Sequence, residues 1–497
     1  MQIKYIITGL IIFSMASSSS CKKFLSVTPR NEKIVSTVED YRDILASYMV
    51  FIKTPNPEYK LANGIFGKGY FYPNFDLSGI LSIYSGECLI SKSDMYLDKS
   101  SSLSTSLGKS INSWTYTNWT SCQSYYQFLG PVNLIIMGIE DADGDETTRD
   151  YVKGEALLWR AYAYFKLLQY YSPYKNNELG IPVNLDPVTD IAAIKPVRNT
   201  QSEVYSRVIE DCEAALKLLE RTPGDSWNFL YNEPFINSFL AAVYHYKALS
   251  GAGEESDWRN AEVYAGKAMQ GRTLVNTAAA LKEIFDAGME GIANFKNLKS
   301  DEFFIRIMDG PNGFIFYYAY NARSPADGSV NPAWLSFYKD GDIRKQVYFS
   351  EDGSANTKYN LQSLSGTMGY GLLMPFRLAE MYLIKSEALL RQGKTAESRT
   401  VLEQFKAARY SLPQTVSDNS TALLADILDE RSREFYREND FIWLDFKRLG
   451  KPLSRIVDGE EYKLSPDDYR YSFPIPATEL FANRELMQNP GWDQFVK

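Results

Sequence analysis

A single histidine in 497 residues leaves little room for most catalytic chemistries. His245 lies between Tyr244 and Tyr246 in a helical stretch, the setting of a core or surface residue rather than of a base or metal ligand. There is no Gly-x-Ser-x-Gly, no phosphate-cradling glycine loop and no Cys/His set with metal-ligand spacing, so neither a metal nor a cofactor is expected. Cysteine is almost as scarce: Cys21, Cys88, Cys122 and Cys212 are all there are, too few for a disulfide scaffold. Cys212 falls in a helical pattern and reads as buried, while Cys88 and Cys122 form the one pair open to a bridge. Beyond the N-terminal region no stretch approaches the ~18 uninterrupted apolar residues of a membrane span. An excess of positive charge is also missing. With 53 Lys+Arg against 61 Asp+Glu and no basic run, the chain is unsuited to nucleic acid or to an anionic lipid surface.

What is present begins at the N-terminus. Lys4, the apolar run Tyr5 to Met15 and the small residues Ala16 to Ser20 have the layout of an export signal. They end at Cys21, the position that a lipoprotein peptidase exposes and lipidates. We therefore expect a signal peptide over 1–20 and a mature chain, 21–497, that begins at an acylated Cys21. Removing residues 1–20 takes away only Lys4 among charged groups, so the formal net charge moves from −8 to −9. Each buried methylene of an acyl chain contributes ~0.8 kcal/mol, so several chains anchor a protein firmly.

Helical periodicity dominates from about residue 111. Leu157, Ala161, Tyr164, Leu168 and Tyr171 recur at helical spacing and predict one apolar stripe over 153–171. Thr200 and Glu203 form a capping box before a helix that should bury Val204, Val208, Cys212, Ala215 and Leu219. Further helices are expected over about 235–250, after a cap at Asp257, as an antiparallel pair over 375–410 turning at Gly393, and from about Thr421 to Glu438. Alanine alternating with Tyr or Phe lets such helices approach closely. That pattern predicts a mainly all-α fold, a tetratricopeptide-like helical repeat scaffold, with repeats over about 111–270 and 375–440.

Long irregular segments interrupt it, at about 50–110, 172–200, 270–372 and 411–420, with a tail after 450. Segments of that length commonly carry binding loops, and two of them, 50–110 and 270–372, are rich in tyrosine. Asp141-Ala-Asp-Gly-Asp145-Glu146 has the acidic density of a calcium loop without EF-hand spacing, and reads as a solvated connection. Asp429 and Arg433, at i, i+4, read as part of a helix-stabilising ion-pair network.

The chain also resembles a known family, the SusD/RagB nutrient-binding outer-membrane lipoproteins of Bacteroidetes. Cys21-Lys-Lys-Phe-Leu-Ser-Val-Thr-Pro is similar to the family's opening, and Thr37-Val-Glu-Asp-Tyr41 follows. Lys153-Gly-Glu-Ala-Leu157 running into Arg160-Ala-Tyr-Ala-Tyr-Phe165 resembles its first marked repeat, with Gly180-Ile-Pro-Val183 at the exit. Phe376-Arg-Leu-Ala-Glu-Met-Tyr-Leu383 and Glu430-Arg-Ser-Arg-Glu-Phe435, leading to Trp443-Leu-Asp-Phe-Lys-Arg-Leu449, are further signatures. Phe473-Pro-Ile-Pro476 and Gln488-Asn-Pro-Gly491 close the chain in the same style. The resemblance implies a single SusD-like domain, 21–497, lipid-anchored at the outer membrane and facing the cell exterior. It implies capture of an oligosaccharide or polysaccharide and its delivery to a TonB-dependent, SusC-like transporter, with no catalysis.

Sugars present flat C–H faces and outward hydroxyls, so a site needs aromatic planes with polar neighbours. Within the irregular segments, Tyr72, Tyr96, Tyr317, Tyr320, Trp334 and Tyr338 are the expected stacking residues. Asn331 and Asp340 are the expected hydrogen-bonding partners. A lid that hands its cargo on should bind it weakly, with about −4 to −8 kcal/mol. Two rival functions stay open from sequence: a repeat scaffold that binds a peptide or protein, and a glycosidase using a carboxylate pair about 5–9.5 Å apart.

Overall fold

The structure, a computed structural model, describes residues 35–48, 85–87, 119–186, 197–221, 231–285, 301–302, 330–358, 376–438, 440–457 and 460–493. Helices dominate. In chain order they are α1 (Val38–Tyr48), α2 (Trp119–Gly138), α3 (Glu146–Tyr171), α4 (Gln201–Leu219), α5 (Glu233–Lys247) and α6 (Glu255–Met269). Then come α7 (Ala278–Phe285), the short α8 (Pro332–Phe337) and α9 (Ile343–Tyr348), α10 (Leu378–Arg391), α11 (Thr395–Ala407), α12 (Ser420–Glu434) and α13 (Phe441–Leu449). A hairpin of β1 (Leu453–Val457) and β2 (Glu460–Leu464) pairs Leu453 with Leu464, and α14 (Ala477–Ala482) lies in the tail.

Packing follows the hairpin-repeat logic. Helix α3 lies against α4, α5 against α6, and α10 against α11, and neighbouring pairs stack. Helix α6 packs directly on α10, although residues 270–377 lie between them in sequence. The fold is therefore the expected all-α, tetratricopeptide-like scaffold.

Several local expectations are met through the chemistry that prompted them. Thr200 is the N-cap of α4, and its capping box with Glu203 is complete in both directions. Gly393 takes φ +79° at the turn between α10 and α11, a conformation only glycine adopts without strain. The acidic loop before α3 serves as a connection: Asp145 caps α3 by accepting the Thr148 amide at 2.7 Å. Cys212 is buried as read, and His245 is a core residue at 3% exposure.

Other expectations are corrected. Helix α3 has no single apolar stripe, because every residue from Gly154 to Tyr171 is buried. Neighbours on all sides of α3 replace solvent, and its polar residues find partners there: Arg160 pairs with Asp211 at 2.7 Å and Lys166 with Asp440 at 2.9 Å. Asp257 is not the N-cap of α6. Glu254 is, with Asp257 at the third helical position returning a bond to the Glu254 amide. Cys122 is a free, buried thiol rather than half of a bridge, and Cys88 lies outside the described residues. The helix read as Thr421 to Glu438 stops at Glu434, since Arg437 adopts φ +53°. The tail after 450 holds a hairpin and a helix, which its weak periodicity did not announce.

Two of the family-like stretches prove to be one fastening. Arg198 donates to the carbonyls of Leu179 (2.7 Å) and Gly180 (2.8 Å) and to Asn489 Oδ1 at 2.7 Å. Asn489 in turn donates to the carbonyls of Tyr171 and Phe473, both at 2.7 Å. The chain exit after α3 and the C-terminal tail are thus tied to the end of α3 by polar groups, which leaves few orphan carbonyls there.

Candidate ligand-binding site

Four of the eight expected ligand residues, Asn331, Trp334, Tyr338 and Asp340, fall in a described stretch, 330–358. Tyr72, Tyr96, Tyr317 and Tyr320 lie outside the described residues, as does Cys21. Asn331 opens α8 as its N-cap, its Oδ1 accepting the Ala333 amide at 3.1 Å, with Pro332 pre-set for the first helical position. Its Nδ2 donates to the Gly86 carbonyl at 2.8 Å. The Trp334 indole N–H donates to the same carbonyl at 3.1 Å. Gly86 thereby joins the 50–110 segment to the 270–372 segment beside the indole.

Trp334 is partly exposed and backed by rings. Tyr436 stands 5.2 Å away at a 38° tilt, and Phe337 meets it edge-on at 6.1 Å. Phe349 packs on Tyr436 in turn, with ring centroids 5.2 Å apart. Tyr338 is placed differently. It is 4% exposed, sits edge-on to Phe349 at 5.1 Å and donates its hydroxyl to the Arg433 carbonyl at 2.7 Å. Burial raises its phenol pKa well above the usual value. Asn331, at 8% exposure, likewise spends its polar atoms inside the protein. Asp340 is exposed at the end of the segment. The structure therefore assembles Asn331, Trp334 and Tyr338 in one neighbourhood, with Trp334 turned outward and the other two turned inward.

Two contributors were missed from sequence, Tyr436 and Phe349. The first follows directly on the Glu430-Arg-Ser-Arg-Glu-Phe435 stretch, and that position was its only signal.

Beneath the aromatic group lies a fully buried ionic cluster. Arg344 is bidentate to Asp342 (2.9 and 2.8 Å) and reaches Glu430 at 2.6 Å and Glu434 at 3.2 Å. Arg377 meets Glu434 at 3.1 Å and Glu438 at 2.5 Å, and Arg409 meets Glu434 at 2.9 Å and Glu302 at 2.8 Å. Burial alone would raise the Glu430 carboxyl, but Arg344 and Arg433 outweigh it and hold the pKa at about 2. An ion-pair network is thus present around 429–438, but not through the expected Asp429–Arg433 pair: Arg433 meets Glu430 at 2.9 Å, and most of the network runs between elements. Glu87, the carboxylate on the segment that meets Trp334, is 2% exposed, and burial lifts its pKa to about 7. Its oxygens accept from the Ser85 hydroxyl (2.6 Å) and the Arg437 amide. Among the described residues no group of three or more His, Cys, Asp or Glu is arranged to hold a metal ion. No described helix is long and apolar enough to cross a membrane.

Two family models match the chain. "SusD-like_3: Starch-binding associating with outer membrane" matches residues 82–244, and "SusD_RagB: SusD family" matches residues 311–492. SusD-like protein P38 of Formosa agariphila is 24% identical over 97% of this chain and 98% of its own length. Starch-binding protein SusD of Bacteroides thetaiotaomicron is 31% identical over 24% of this chain and 21% of its own. Among solved structures, a SusD-like carbohydrate binding protein from Bacteroides vulgatus aligns with a TM-score of 0.62 at 18% identity, covering 91% of this chain and 97% of that one.

Proposed function

This chain belongs to the SusD/RagB family, and we propose that it is a cell-surface glycan-binding lipoprotein. In this reading it is tethered at the outer membrane by an acylated Cys21. It captures an oligosaccharide or polysaccharide and passes it to a TonB-dependent, SusC-like transporter, without catalysing a reaction. The observation that carries the binding role is Trp334. Its N–H is committed to Gly86 and its ring is braced by Tyr436, so what remains to offer is a fixed, partly exposed aromatic face. A fixed ring loses little rotamer freedom on binding a sugar's C–H face. Tyr72, Tyr96, Tyr317 and Tyr320 are proposed as further stacking residues and Asp340 as a hydroxyl partner, while Asn331 and Tyr338 shape the site from within. The carboxylate beside the indole, Glu87, is buried and bonded, which favours binding over a hydrolytic role.

The test is the migration of residues 22–497 in native gels cast with soluble starch, xylan, pectin or a β-glucan. Retardation by at least one of these, weakened about tenfold in Trp334→Ala with the helical circular dichroism signal retained, is the expected result. Release of reducing sugar from the retarding polysaccharide would overturn the non-catalytic reading. Unchanged retardation in Trp334→Ala would remove that ring from the site.

A further inference from the structure

The aromatic insertion meets the scaffold at the C-terminal end of α12, where a helix leaves carbonyls without helical partners. Three side chains of the insertion take them up. Tyr338 donates its hydroxyl to the Arg433 carbonyl at 2.7 Å and Tyr348 donates to the Glu434 carbonyl at 3.2 Å. The Lys358 ammonium donates to the carbonyls of Glu434 and Tyr436, both at 2.9 Å, and to Glu438 Oε2 at 2.9 Å. A cation is the group best suited to a helix C-terminus, because the aligned peptide dipoles place negative potential there.

Lys358 is 1% exposed and lies over the rings of Tyr348 (4.2 Å) and Phe285 (4.8 Å). Neutralising Glu438 does not require it, since Arg377 already contacts that carboxylate at 2.5 and 2.8 Å. Its distinctive contribution is the pair of carbonyls. Lys358 directly follows a short turn, which is closed by the Thr357 amide donating to the Tyr348 carbonyl at 2.8 Å and the Ser350 amide donating to the Ala355 carbonyl at 2.9 Å. That turn carries Phe349, which packs on Tyr436, which backs Trp334. The same helix end receives the 85–87 segment, through Tyr436 donating to the Glu87 carbonyl at 3.1 Å. Arg437, in the left-handed region at φ +53°, turns its amide toward Glu87. A non-glycine residue held there is strained, and such strain persists only where surroundings over-determine it.

We propose that Lys358 is a positioning residue of the ligand face: by capping the Glu434 carbonyl that ends α12 and the Tyr436 carbonyl just beyond it, Lys358 fixes the 330–358 insertion, and through Phe349 and Tyr436 the attitude of Trp334. Its bearing on ligand rests on the reading of Trp334 as a glycan platform. Its bearing on the insertion does not, and the two are separated in the test. Hydrogen exchange is followed by mass spectrometry on residues 22–497 of the wild type, Lys358→Met and Lys247→Met. Lys247 is the control, a buried lysine bound to Asp257 at 2.9 Å between α5 and α6, remote in sequence from the insertion.

Lys358→Met is expected to speed exchange in peptides from 330–358 by about tenfold or more, leaving α3 peptides within about twofold of wild type. Lys247→Met is expected to lower the melting temperature without that local change. Exchange in 330–358 within about twofold of wild type in Lys358→Met, or opening of 330–358 to the same extent in Lys247→Met, overturns the proposal. Should Lys358→Met not fold, Tyr348→Phe decides. It removes only the hydroxyl on the Glu434 carbonyl, and faster exchange confined to 330–358 supports the proposal while unchanged exchange opposes it. Where one of the four polysaccharides retards the wild type, Lys358→Met should weaken retention about tenfold and Lys247→Met by less than about twofold. If none does, capture of these four polysaccharides is excluded, and the exchange data still decide whether Lys358 holds the insertion.

Discussion

Two interiors meet at consecutive residues of this protein, and they are built from opposite materials. Phe376 faces the first. Its ring stacks on Phe239 at 5.2 Å and meets Phe235 and Tyr162, within a cluster that continues to Trp159 and Phe165. Arg377 faces the second, where Arg344, Arg377 and Arg409 share Glu302, Glu434 and their neighbours at under 1% to 1% exposure. Phe376 holds φ +60° to make that switch. Apolar contact is non-directional and roughly proportional to area, so the first interior tolerates rearrangement of shape at constant volume. A buried ion pair gains from attraction only when its geometry is right, because each charge has already lost its water. The first interior stacks repeats. The second fixes where a non-repeat segment lies on them.

The largest expected difference between the two is in acid. Glu430 and Asp445 are held at about 2, and Glu434, Glu438 and Glu387 are also lowered. In each case burial pushes the carboxyl up and the adjoining arginines, Lys358 or His245 more than offset it. Unfolded, such groups titrate near 4.3 for Glu and 3.9 for Asp. The unfolded chain therefore binds more protons than the folded one as pH falls below about 4.5, and stability drops steeply toward about 2. Between pH 7 and 5 the terms oppose each other, and two raised carboxyls outweigh one lowered imidazole. Burial, followed by the Arg448 charge, lowers His245 to about 4, which costs stability as pH falls from about 6.5. Burial raises Glu87 and Glu380 to about 7, which adds stability over the same range. Urea midpoints measured from pH 7 to 3 should rise modestly to about pH 5 and then fall sharply. A steady decline from pH 7 would show that the ionic interior does not control the response.

Single substitutions should separate the interiors next. Arg377→Met leaves Glu434, Glu438 and Glu302 short of a partner in a fully buried site, an expected loss of about 3–5 kcal/mol. Phe239→Leu in the aromatic interior roughly conserves volume and should cost less than about 1.5 kcal/mol. Equal losses by urea denaturation would mean that the ionic cluster relaxes or hydrates as easily as the rings repack.

The first interior was largely legible in the sequence and the second was not. Ala161, Tyr164, Val204, Val208 and Ala242 sit at helical spacing, and local periodicity suffices to place them on a core face. Capping boxes are local too, so Thr200 and Glu203 marked their helix. The ionic cluster joins Glu302, Asp342, Arg377, Arg409 and Glu434, residues distant in sequence, and no period links them. Read alone, Glu430-Arg-Ser-Arg-Glu-Phe435 resembles any solvated, charged helix end. The ligand face suffered similarly. Asn331, Trp334 and Tyr338 are close in sequence, and composition could group them, but which of them turns outward depends on Gly86 and Arg433, both far along the chain. Tyr436 was missed because nothing local distinguishes it from the motif it follows.

The smallest effect tests whether the tolerant interior has a rigid point of its own. Gly154 lies on α3 where the Tyr231 hydroxyl crosses the helix, so closely that an added Cβ would overlap the phenol oxygen. That hydroxyl is not free to swing away, because it donates to the Ala215 carbonyl at 2.8 Å. Elsewhere in a buried helix, glycine to alanine gains about 1 kcal/mol from backbone entropy. Here overpacking should reverse the sign, for a net loss of about 1–2 kcal/mol. Tyr231→Phe alone should lose about 1 kcal/mol with its hydrogen bond, yet in the double variant it removes the nearer of two obstructing atoms, leaving the ring carbon Cζ at 2.6 Å from the added Cβ. The two losses should therefore fail to add, the double variant being more stable than Gly154→Ala. Strict additivity by urea denaturation would place the obstruction on the ring or on the neighbouring Leu218 instead of the hydroxyl.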